Sequence, residues 1–214
     1  MSKNNNKKSP IVTIVIVSVA VLGLGYFLFK SSPKNQSPIT ASVDNMNGGS
    51  AMAVNSDTLN SLIGKLIPDI QLSDKDGKVL TAADLKGKNI VLFFNEGLMC
   101  YPSCWNQIAS FGSDPRFNND QTQAISVVVD SAKDWQIAIS KMPQLANATV
   151  MFDTNANVSR QIGMLMTNSS MHRGLLPGHT YMILDKDAIV RYVFDDPNMA
   201  IANDMIFSKI GELR

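Results

Sequence analysis

The sequence is poor in cysteine and in net charge, and it contains no internal repeat. Cysteine occurs only as Cys100 and Cys104 among 214 residues, so the chain can form at most one intramolecular disulfide. The net charge is +1 and the sequence pI is near 7.7, with no block of like charge beyond the N-terminus. Nucleic-acid-binding domains carry a clustered basic surplus. The sequence therefore predicts no nucleic-acid partner.

A long uncharged apolar run lies near the N-terminus. Residues Ile11 to Phe29 are nineteen in a row without a charge, and as a helix they would span about 28 Å, close to the hydrocarbon thickness of a bilayer. The alternative is a cleaved signal peptide, which has a shorter apolar core and a small-residue cleavage site. Because Gly25–Lys30 offers no good cleavage site, we expect a retained transmembrane signal anchor over 11–29.

This anchor predicts where the rest of the chain lies. By the positive-inside rule, Lys7 and Lys8 keep residues 1–10 in the cytoplasm, so the chain crosses the cell membrane once and its C-terminal part is extracytoplasmic. Residues 30–57 are rich in Ser, Asn, Pro and Gly and lack periodicity, which predicts a flexible linker. Residues 58–214 then form the folded domain, in an oxidising compartment where a disulfide can persist.

Apolar periodicity predicts strands alternating with helices in this domain. The expected elements, in chain order, are a helical turn over 59–64, a hairpin over 68–80, a helical turn over 82–85, a strand over 90–94, a helix after Ser103, a strand over 123–130, a helix from Ser131 or Asp134 to Met142, a strand over 150–153, a helix over 157–164, a hairpin over 180–194 and an amphipathic helix over 200–213 with Ile201 on its apolar face. This order predicts an α/β fold with a central mixed sheet, parallel in the middle and ending in an antiparallel hairpin, flanked by helices.

Both cysteines lie on the turn between a buried strand and a helix that Ser103 can cap. The N-terminus of a helix carries partial positive charge, which favours the thiolate that attacks disulfides and binds metals. Residues spaced as Cys100 and Cys104 can also come within disulfide distance. We therefore predict a reversible disulfide at the carboxyl ends of the parallel strands. The alternative is an inert structural disulfide or two buried thiols, although so short a loop would stabilise little.

Several neighbours of this turn are further candidates. Glu96 is the candidate for proton transfer, and the alternative is an exposed loop carboxylate. His172 lies in an irregular stretch and is expected at the surface, and residues 167–178 are expected to form a loop bordering the active face. Trp105 is expected to pack under the turn. Most of the 12 methionines are expected to fill the core, and those expected near the site are Met99, Met164, Met166 and Met171.

The whole pattern resembles the thioredoxin-like redoxins, the superfamily of alkyl hydroperoxide reductase/thiol-specific antioxidant (AhpC/TSA) and TlpA-like proteins. The matching segments follow the family's order over about residues 60–214 and are Pro68–Leu72 with Asp76-Gly77, Leu85–Lys88, Val91–Phe94 followed by the cysteines, Ser126–Ser131 with Trp135, and Thr180–Asp185 with Ile189–Arg191. The resemblance implies a thioredoxin-like fold and an oxidoreductase or antioxidant with a redox-active centre at the cysteines.

Three subfamilies compete within this resemblance. Peroxide-reducing members place Pro seven residues and Thr or Ser three residues before the reactive cysteine. Here those positions hold Phe93 and Gly97 before Cys100, or Gly97 and Tyr101 before Cys104. The comparison therefore argues against direct peroxidase activity. TlpA-like exchangers use Cys-x-x-Cys and a cis-proline before a Thr on the strand facing the cysteines. This chain has three residues between its cysteines and places His179 before Thr180 on that strand.

Sco-like copper proteins are the third comparison. They carry Cys-x-x-x-Cys on the same turn and a histidine in the slot of His179, so Cys100, Cys104 and His179 match their metal ligands. Two departures stand against this match. Tyr101 and Trp105 follow the cysteines where the Sco pattern has Pro, and glycine replaces the usual Asp before the histidine. Two thiolates with an imidazole form a soft ligand set suited to Cu(I).

These arguments lead to one expected function and two alternatives. We expect a membrane-anchored, extracytoplasmic thiol–disulfide oxidoreductase that uses Cys100 and Cys104 and needs no cofactor. Cys100 is the expected attacking thiol, because a residue in the loop should be exposed. The expected partners are protein thiol or disulfide clients and a redox partner. The alternatives are a Sco-like copper chaperone that adds His179 as a ligand and a peroxiredoxin-like antioxidant.

Overall fold

The computed structural model of the chain describes residues 57–213, which form a seven-stranded sheet flanked by helices. The strands are β1 (Gln71–Ser73), β2 (Val79–Thr81), β3 (Asn89–Phe94), β4 (Thr122–Val128), β5 (Val150–Phe152), β6 (Thr180–Leu184) and β7 (Val190–Asp195). The helices that follow β1 and β2 are α1 (Ser103–Ser113), α2 (Ala132–Lys141), α3 (Asn157–Gln161) and α4 (Asn203–Gly211). A helical turn over 57–60 precedes β1.

The sheet has the predicted mixed topology, in the order β2-β1-β5-β4-β3-β6-β7. Strands β3, β4 and β5 are parallel, and the hairpins β1–β2 and β6–β7 extend the sheet at its two ends. Strand β6 is antiparallel to β3, with Phe94 paired to Thr180. The start of β6 therefore lies beside the carboxyl end of β3. This register brings His179 next to the turn that carries the cysteines.

Strand β3 separates two hydrophobic clusters because successive side chains of a strand point to opposite faces. Val91 and Phe93 belong to the first cluster, which contains both cysteines and side chains of α1 and α4. Ile90, Leu92 and Phe94 belong to the second cluster, with side chains of β1 and α3. All five of these side chains are buried. The continuous apolar run thus forms a strand covered on both faces, as the sequence predicts.

Two helix starts differ in how well the sequence predicts them. Ser131 is the N-cap of α2 and accepts a hydrogen bond from the backbone N–H of Asp134, as predicted. The prediction for α1 is wrong by one residue, because Ser103 is the first helical residue and Pro102 holds the N-cap position. The backbone N–H of Cys104 already bonds the carbonyl of Cys100 at 2.9 Å, so helical bonding begins within the cysteine turn.

The C-terminal helix begins later than the apolar pattern predicts. Helix α4 starts at Asn203, and Ile201 is 59% exposed rather than part of the apolar face. The Asp196 carboxylate accepts hydrogen bonds from the backbone N–H groups of Asn198 and Ala200. These bonds hold residues 196–200 in a non-helical turn. Local capping by a carboxylate therefore overrides the helical periodicity at this end.

Residues 1–56 lie outside the described part of the chain, and with them the predicted cytoplasmic segment, the anchor and nearly all of the linker. Within residues 57–213, no helix combines the length and the apolar character that crossing a bilayer requires. The anchor and the location that follows from it stay predictions.

Candidate active site

The two cysteines are joined by a disulfide on the turn between β3 and α1, with their Cα atoms 5.3 Å apart. Cys100 ends the short 3-10 turn Gly97–Met99, and Cys104 is the second residue of α1. The expected exposure of Cys100 is wrong, because Cys100 is 3% exposed and Cys104 is fully buried. The 3-10 turn folds Cys100 inward, so that both sulfur atoms join the first cluster.

His179 faces the disulfide from the start of β6. Its Nδ1 atom lies 3.5 Å from the Sγ atom of Cys104, and the side chain is buried. The ligand atoms of Cys100, Cys104 and His179 all lie within 4.8 Å of one another. The strand register that pairs Phe94 with Thr180 creates this contact. The expectation that His179 lies opposite the cysteines is therefore met.

The imidazole of His179 is buried and its ring contacts neutral side chains. Its ring packs edge-on against Phe93, with ring centroids 4.6 Å apart, and its Nε2 atom lies 2.8 Å from the hydroxyl of Tyr181. Burial lowers the pKa of His179 to about 4, against the smaller opposing effects of Asp196, Asp195 and the Ala200 carbonyl. Burial also raises the pKa of Tyr181 above its ordinary value. Both side chains are therefore neutral at neutral pH.

Thr180, the other residue expected on the active-site strand, points the opposite way. Its hydroxyl donates to Asp195 at 3.2 Å, while its neighbours His179 and Tyr181 share the face that carries the cysteines. This alternation follows from the period of two in a strand. Thr180 thus positions the chain of β6 rather than the sulfur atoms.

Glu96 is buried, so the alternative of an exposed loop carboxylate is wrong. Its Oε1 atom accepts hydrogen bonds from the backbone N–H groups of Met171 (2.7 Å) and His172 (3.1 Å) and from the hydroxyl of Ser170 (3.2 Å). Its Oε2 atom lies 2.9 Å from Nδ1 of His172, whose side chain is half-buried rather than at the open surface. A tight turn at 170–172 gathers these donors around one carboxylate, which compensates its burial.

The loop over 167–178 borders the cysteine turn, as the sequence predicts, and two carboxylates hold it. Glu96 holds residues 170–172, and Asp195 accepts from the backbone N–H of Asn168 at 2.7 Å and from the hydroxyl of Ser169.

The methionines that were expected near the site differ in position. Met99, Met166 and Met171 are exposed, whereas Met164 is buried in the second cluster, on the other face of the sheet from the cysteines. The prediction that placed Met164 near the site is wrong.

The surroundings of Gly97 leave no room for a side chain at this position of the turn. Its backbone has φ +59°, and an added Cβ would overlap the Asp130 carboxylate. That carboxylate accepts from the backbone N–H of Leu98 at 3.0 Å, and the Gly97 carbonyl accepts from Nε1 of Trp105 at 3.1 Å. Trp105 packs under the turn as predicted. Asp130 was not among the residues predicted from the sequence, although its place just after β4, at the same sheet edge as the cysteines, was a usable signal.

Residues 63–193 match the AhpC/TSA family. The chain belongs to this family. Among curated relatives of this AhpC/TSA chain, chloroplastic peroxiredoxin Q from Triticum aestivum is 28% identical over 134 residues, covering 62% of the chain and 58% of the relative. Peroxiredoxin Q from Sedum lineare is 26% identical, with 62% and 68% covered. The chain thus spans less than two thirds of the wheat protein.

Solved structures show the same fold for the AhpC/TSA chain. Peroxidoxin BcpB from Mycobacterium tuberculosis aligns with a TM-score of 0.57 at 19% identity, covering 71% of this chain and 97% of that one. A peroxiredoxin-like protein from Aquifex aeolicus gives 0.58 at 19% identity, with 71% and 87% covered. A putative protein disulfide isomerase from Bacteroides thetaiotaomicron gives 0.51 at 18% identity, with 70% and 88% covered. The predicted redoxin superfamily and thioredoxin-like α/β fold are confirmed.

Proposed function

We propose that this AhpC/TSA chain is a thiol–disulfide oxidoreductase that works through reversible opening of the Cys100–Cys104 disulfide. The observation that supports it most is the contact of 3.5 Å between Cys104 Sγ and Nδ1 of the buried, neutral His179. A neutral imidazole nitrogen beside a thiol can accept the proton that the thiol must lose to attack a disulfide. An inert structural disulfide has no use for such a partner.

In the reducing direction, the chemistry needs only thiols and a client disulfide. The Cys100 thiolate attacks one client sulfur, forming a mixed disulfide, and the other client sulfur leaves as a thiolate and takes up a proton. Cys104 then gives its proton to His179 Nδ1 and attacks Cys100 Sγ. The Cys100–Cys104 bond forms, the bond between Cys100 and the client breaks, and the second client sulfur leaves as a thiolate that takes up the proton from His179. Two electrons pass to the client, and a redox partner restores the dithiol by the reverse exchange.

Cys100 remains the proposed attacking residue, although both sulfurs lie inside the first cluster. Cys104 is fully buried and contacts His179, which suits a thiol that acts second and inside the protein. Cys100 has the larger exposed fraction, 3%, and follows the exposed Met99 in the turn. Glu96 is proposed to act on proton transfer only indirectly, since the loop at 170–172 occupies both of its oxygen atoms.

The proposed location is the extracytoplasmic side of the cell membrane. Residues 11–29 would anchor the chain as a single span, residues 30–57 would act as a linker, and residues 58–214 would meet protein clients there. This part of the proposal depends on the apolar run at Ile11–Phe29 alone.

Disulfide exchange by the full chain in detergent tests the main proposal. We expect the wild-type chain to reduce insulin disulfides in the presence of dithiothreitol, and Cys100→Ser or Cys104→Ser to abolish the activity. Equilibration with glutathione buffers gives the reduction potential of the pair and thus the direction of exchange. Exchange that survives both substitutions would overturn the proposal.

The three-ligand cluster favours copper chaperoning as a second candidate. In the dithiol form Cys100, Cys104 and His179 would present two thiolates and one imidazole to Cu(I), and the separation of at most 4.8 Å between ligand atoms fits one ion. Competition titration of the reduced chain with a Cu(I) chelator tests this role. Tight binding lost in His179→Ala, together with no insulin reduction, would replace the exchange proposal with copper delivery.

A peroxiredoxin-like antioxidant is the third candidate, because the chain matches proteins named peroxiredoxin. Gly97 stands where the peroxide-reducing pattern has Thr or Ser, and its surroundings leave no room for a side chain. We therefore expect the wild-type chain to consume hydrogen peroxide, with dithiothreitol as donor, no faster than Cys100→Ser. Peroxide turnover that disappears in Cys100→Ser would instead establish this third role.

A further inference from the structure

A chain of buried hydrogen bonds runs from Asp114, at the C-terminal end of α1, to His179. The donor and the acceptor of each bond follow from Asp114, which can only accept. The Asp114 carboxylate can only accept, because its hydrogen bonds with Arg116 lower its pKa to about 2. Asn203 Nδ2 lies 2.9 Å from Asp114 Oδ2. The amide nitrogen of Asn203 must therefore face Asp114. The Oδ1 atom of Asn203 must then face Gln107, whose Nε2 atom lies 2.8 Å away and donates to it.

The orientation of Gln107 is fixed a second time by the backbone. Its Oε1 atom accepts from the backbone N–H of Ala202 at 2.8 Å, and a backbone N–H can only donate. The hydroxyl of Tyr181 lies 3.1 Å from the same Oε1 atom. Because Oε1 has no proton to give, Tyr181 must be the donor in this bond. The single hydroxyl proton of Tyr181 is thus committed to Gln107.

Tyr181 can then act only as an acceptor toward its other neighbour. That neighbour is Nε2 of His179, at 2.8 Å, so Nε2 must carry the proton of the neutral ring. We propose that Tyr181 and Gln107 are positioning residues that hold His179 in the Nε2–H tautomer, with the lone pair of Nδ1 aimed at Cys104 Sγ. The other tautomer would leave two buried lone pairs facing each other at Tyr181, which is costly.

The position of the proton on the His179 ring matters for each of the functions proposed for the site. In the dithiol form, Nδ1 accepts the hydrogen bond of the Cys104 S–H group, and it is the atom that receives the proton when Cys104 attacks. With the proton on Nδ1 instead, an N–H group would face the sulfur of Cys104, and this nitrogen could not accept the thiol proton. At metal sites, loss of the partner that fixes the tautomer of a histidine ligand costs about tenfold or more in affinity or activity, and we expect an effect of similar size here.

The tautomer is measurable directly in the full chain. Long-range proton–nitrogen correlation spectra of the 15N-labelled chain in detergent at neutral pH distinguish the two neutral forms of a histidine. The chain has only His172 and His179, so the spectrum of His172→Gln assigns the signals. We expect His179 to be protonated at Nε2 and bare at Nδ1. A wild-type His179 protonated at Nδ1 would overturn the inference, even if no variant folded.

Two variants test the positioning residues. Gln107→Leu frees the Tyr181 hydroxyl to donate to Nε2, and Tyr181→Phe removes the acceptor, so both should populate the Nδ1–H tautomer. Tyr192→Phe removes the same group from β7 and should leave the tautomer as in wild type. Unchanged tautomers in both Gln107→Leu and Tyr181→Phe would contradict the proposed roles.

The kinetic consequence depends on the proposed exchange function. Insulin reduction should fall about tenfold or more in Gln107→Leu and Tyr181→Phe and stay at the wild-type rate in Tyr192→Phe. An altered tautomer with an unchanged exchange rate would show that the tautomer has no role in exchange and would overturn that consequence. If the wild-type chain exchanges no disulfides, the proposed function fails, while the spectra still decide on the positioning residues.

Discussion

At the residue scale, Asp114 forms an ion pair with Arg116 at the surface. The same carboxylate also belongs to the chain of buried hydrogen bonds that includes Gln107. The Asp114 side chain is mostly buried, and the Arg116 hydrogen bond lowers its pKa from 3.8 to about 2. A carboxyl group with a lower pKa in the folded state stabilises the fold above pH 3.8, and this stability is lost as the pH falls through about 2. The shift corresponds to about 2 kcal/mol, as an upper value.

We therefore predict that Asp114→Asn lowers the free energy of unfolding by up to about 2 kcal/mol at pH 6, with a difference from wild type that shrinks toward zero near pH 2. Urea unfolding at a series of pH values measures this. Asp187→Asn, at an exposed position, serves as the control and should follow the wild-type profile. An Asp114→Asn deficit that stays constant down to pH 2 would rule out a charge-dependent contribution.

Gly97 allows a second prediction at this scale. Gly77 and Gly97 both have positive φ, but a Cβ at Gly77 would meet open space, whereas one at Gly97 would overlap Asp130. Gly77→Ala should cost about 1 kcal/mol from backbone strain. Gly97→Ala should cost about 2–4 kcal/mol, because overpacking adds to the same strain. Guanidinium unfolding of the oxidised proteins compares them, and equal losses would show that Asp130 yields freely.

At the scale of elements, the cap of α2 is a local signal that the fold retains. Ser131 accepts from the backbone N–H of Asp134 at 3.1 Å, so Ser131→Ala should lower the free energy of unfolding by about 1 kcal/mol. Ser140→Ala is the matched control in the same helix, because the Ser140 hydroxyl donates back to the Ile137 carbonyl and caps nothing. We expect a change close to zero for this control. Thermal unfolding of both variants checks the prediction.

The loop over 167–178 is an element without regular hydrogen bonding along most of its length, and Glu96 supplies part of what it lacks. Glu96→Ala removes the acceptor of the Met171 amide proton, whereas the His172 amide proton keeps the Ser170 hydroxyl oxygen as a second acceptor at 3.1 Å. Hydrogen bonds to a charged group are worth about 1.5–3 kcal/mol, so amide exchange at Met171 should accelerate about tenfold or more, and exchange at His172 should accelerate less.

Hydrogen exchange followed by NMR measures this effect. Glu212→Ala removes an exposed carboxylate that pairs only with the side chain of Lys209 among its recorded contacts, and it should leave the loop unchanged. Protection of Met171 that survives Glu96→Ala would show that the loop is held by its other contacts, such as those of Asp195.

At the scale of the whole molecule, the proposed anchor has a direct consequence. The full chain should stay with the membrane pellet after an alkaline wash, because the proposed anchor, an apolar run of nineteen residues, would insert across the bilayer. A chain beginning at Asp57 lacks the proposed anchor, so its recovery in the pellet should fall relative to the full chain. Recovery of the full chain in the soluble fraction would contradict the anchor.

Much of the fold follows from local patterns. The apolar run over 90–94, the turn at Asp76-Gly77 and the alternation of strands with helices predict the sheet and its mixed topology, because backbone periodicity decides which face each side chain covers. Departures occur where a single side chain competes with periodicity. Asp196 delays the start of α4, and the bonding within the cysteine turn displaces the cap of α1.

The sequence by itself determined which atoms can react, since the chain has two cysteines, spaced for a disulfide, after a buried strand. Only the tertiary structure decided what surrounds them. The burial of Glu96 and the fixed polarity from Gln107 through Tyr181 to His179 depend on contacts between residues 74 to 95 positions apart in the chain. No local pattern encodes such contacts, because the pairing register of β3 with β6 and the packing of α1 against residues near Ala202 create them.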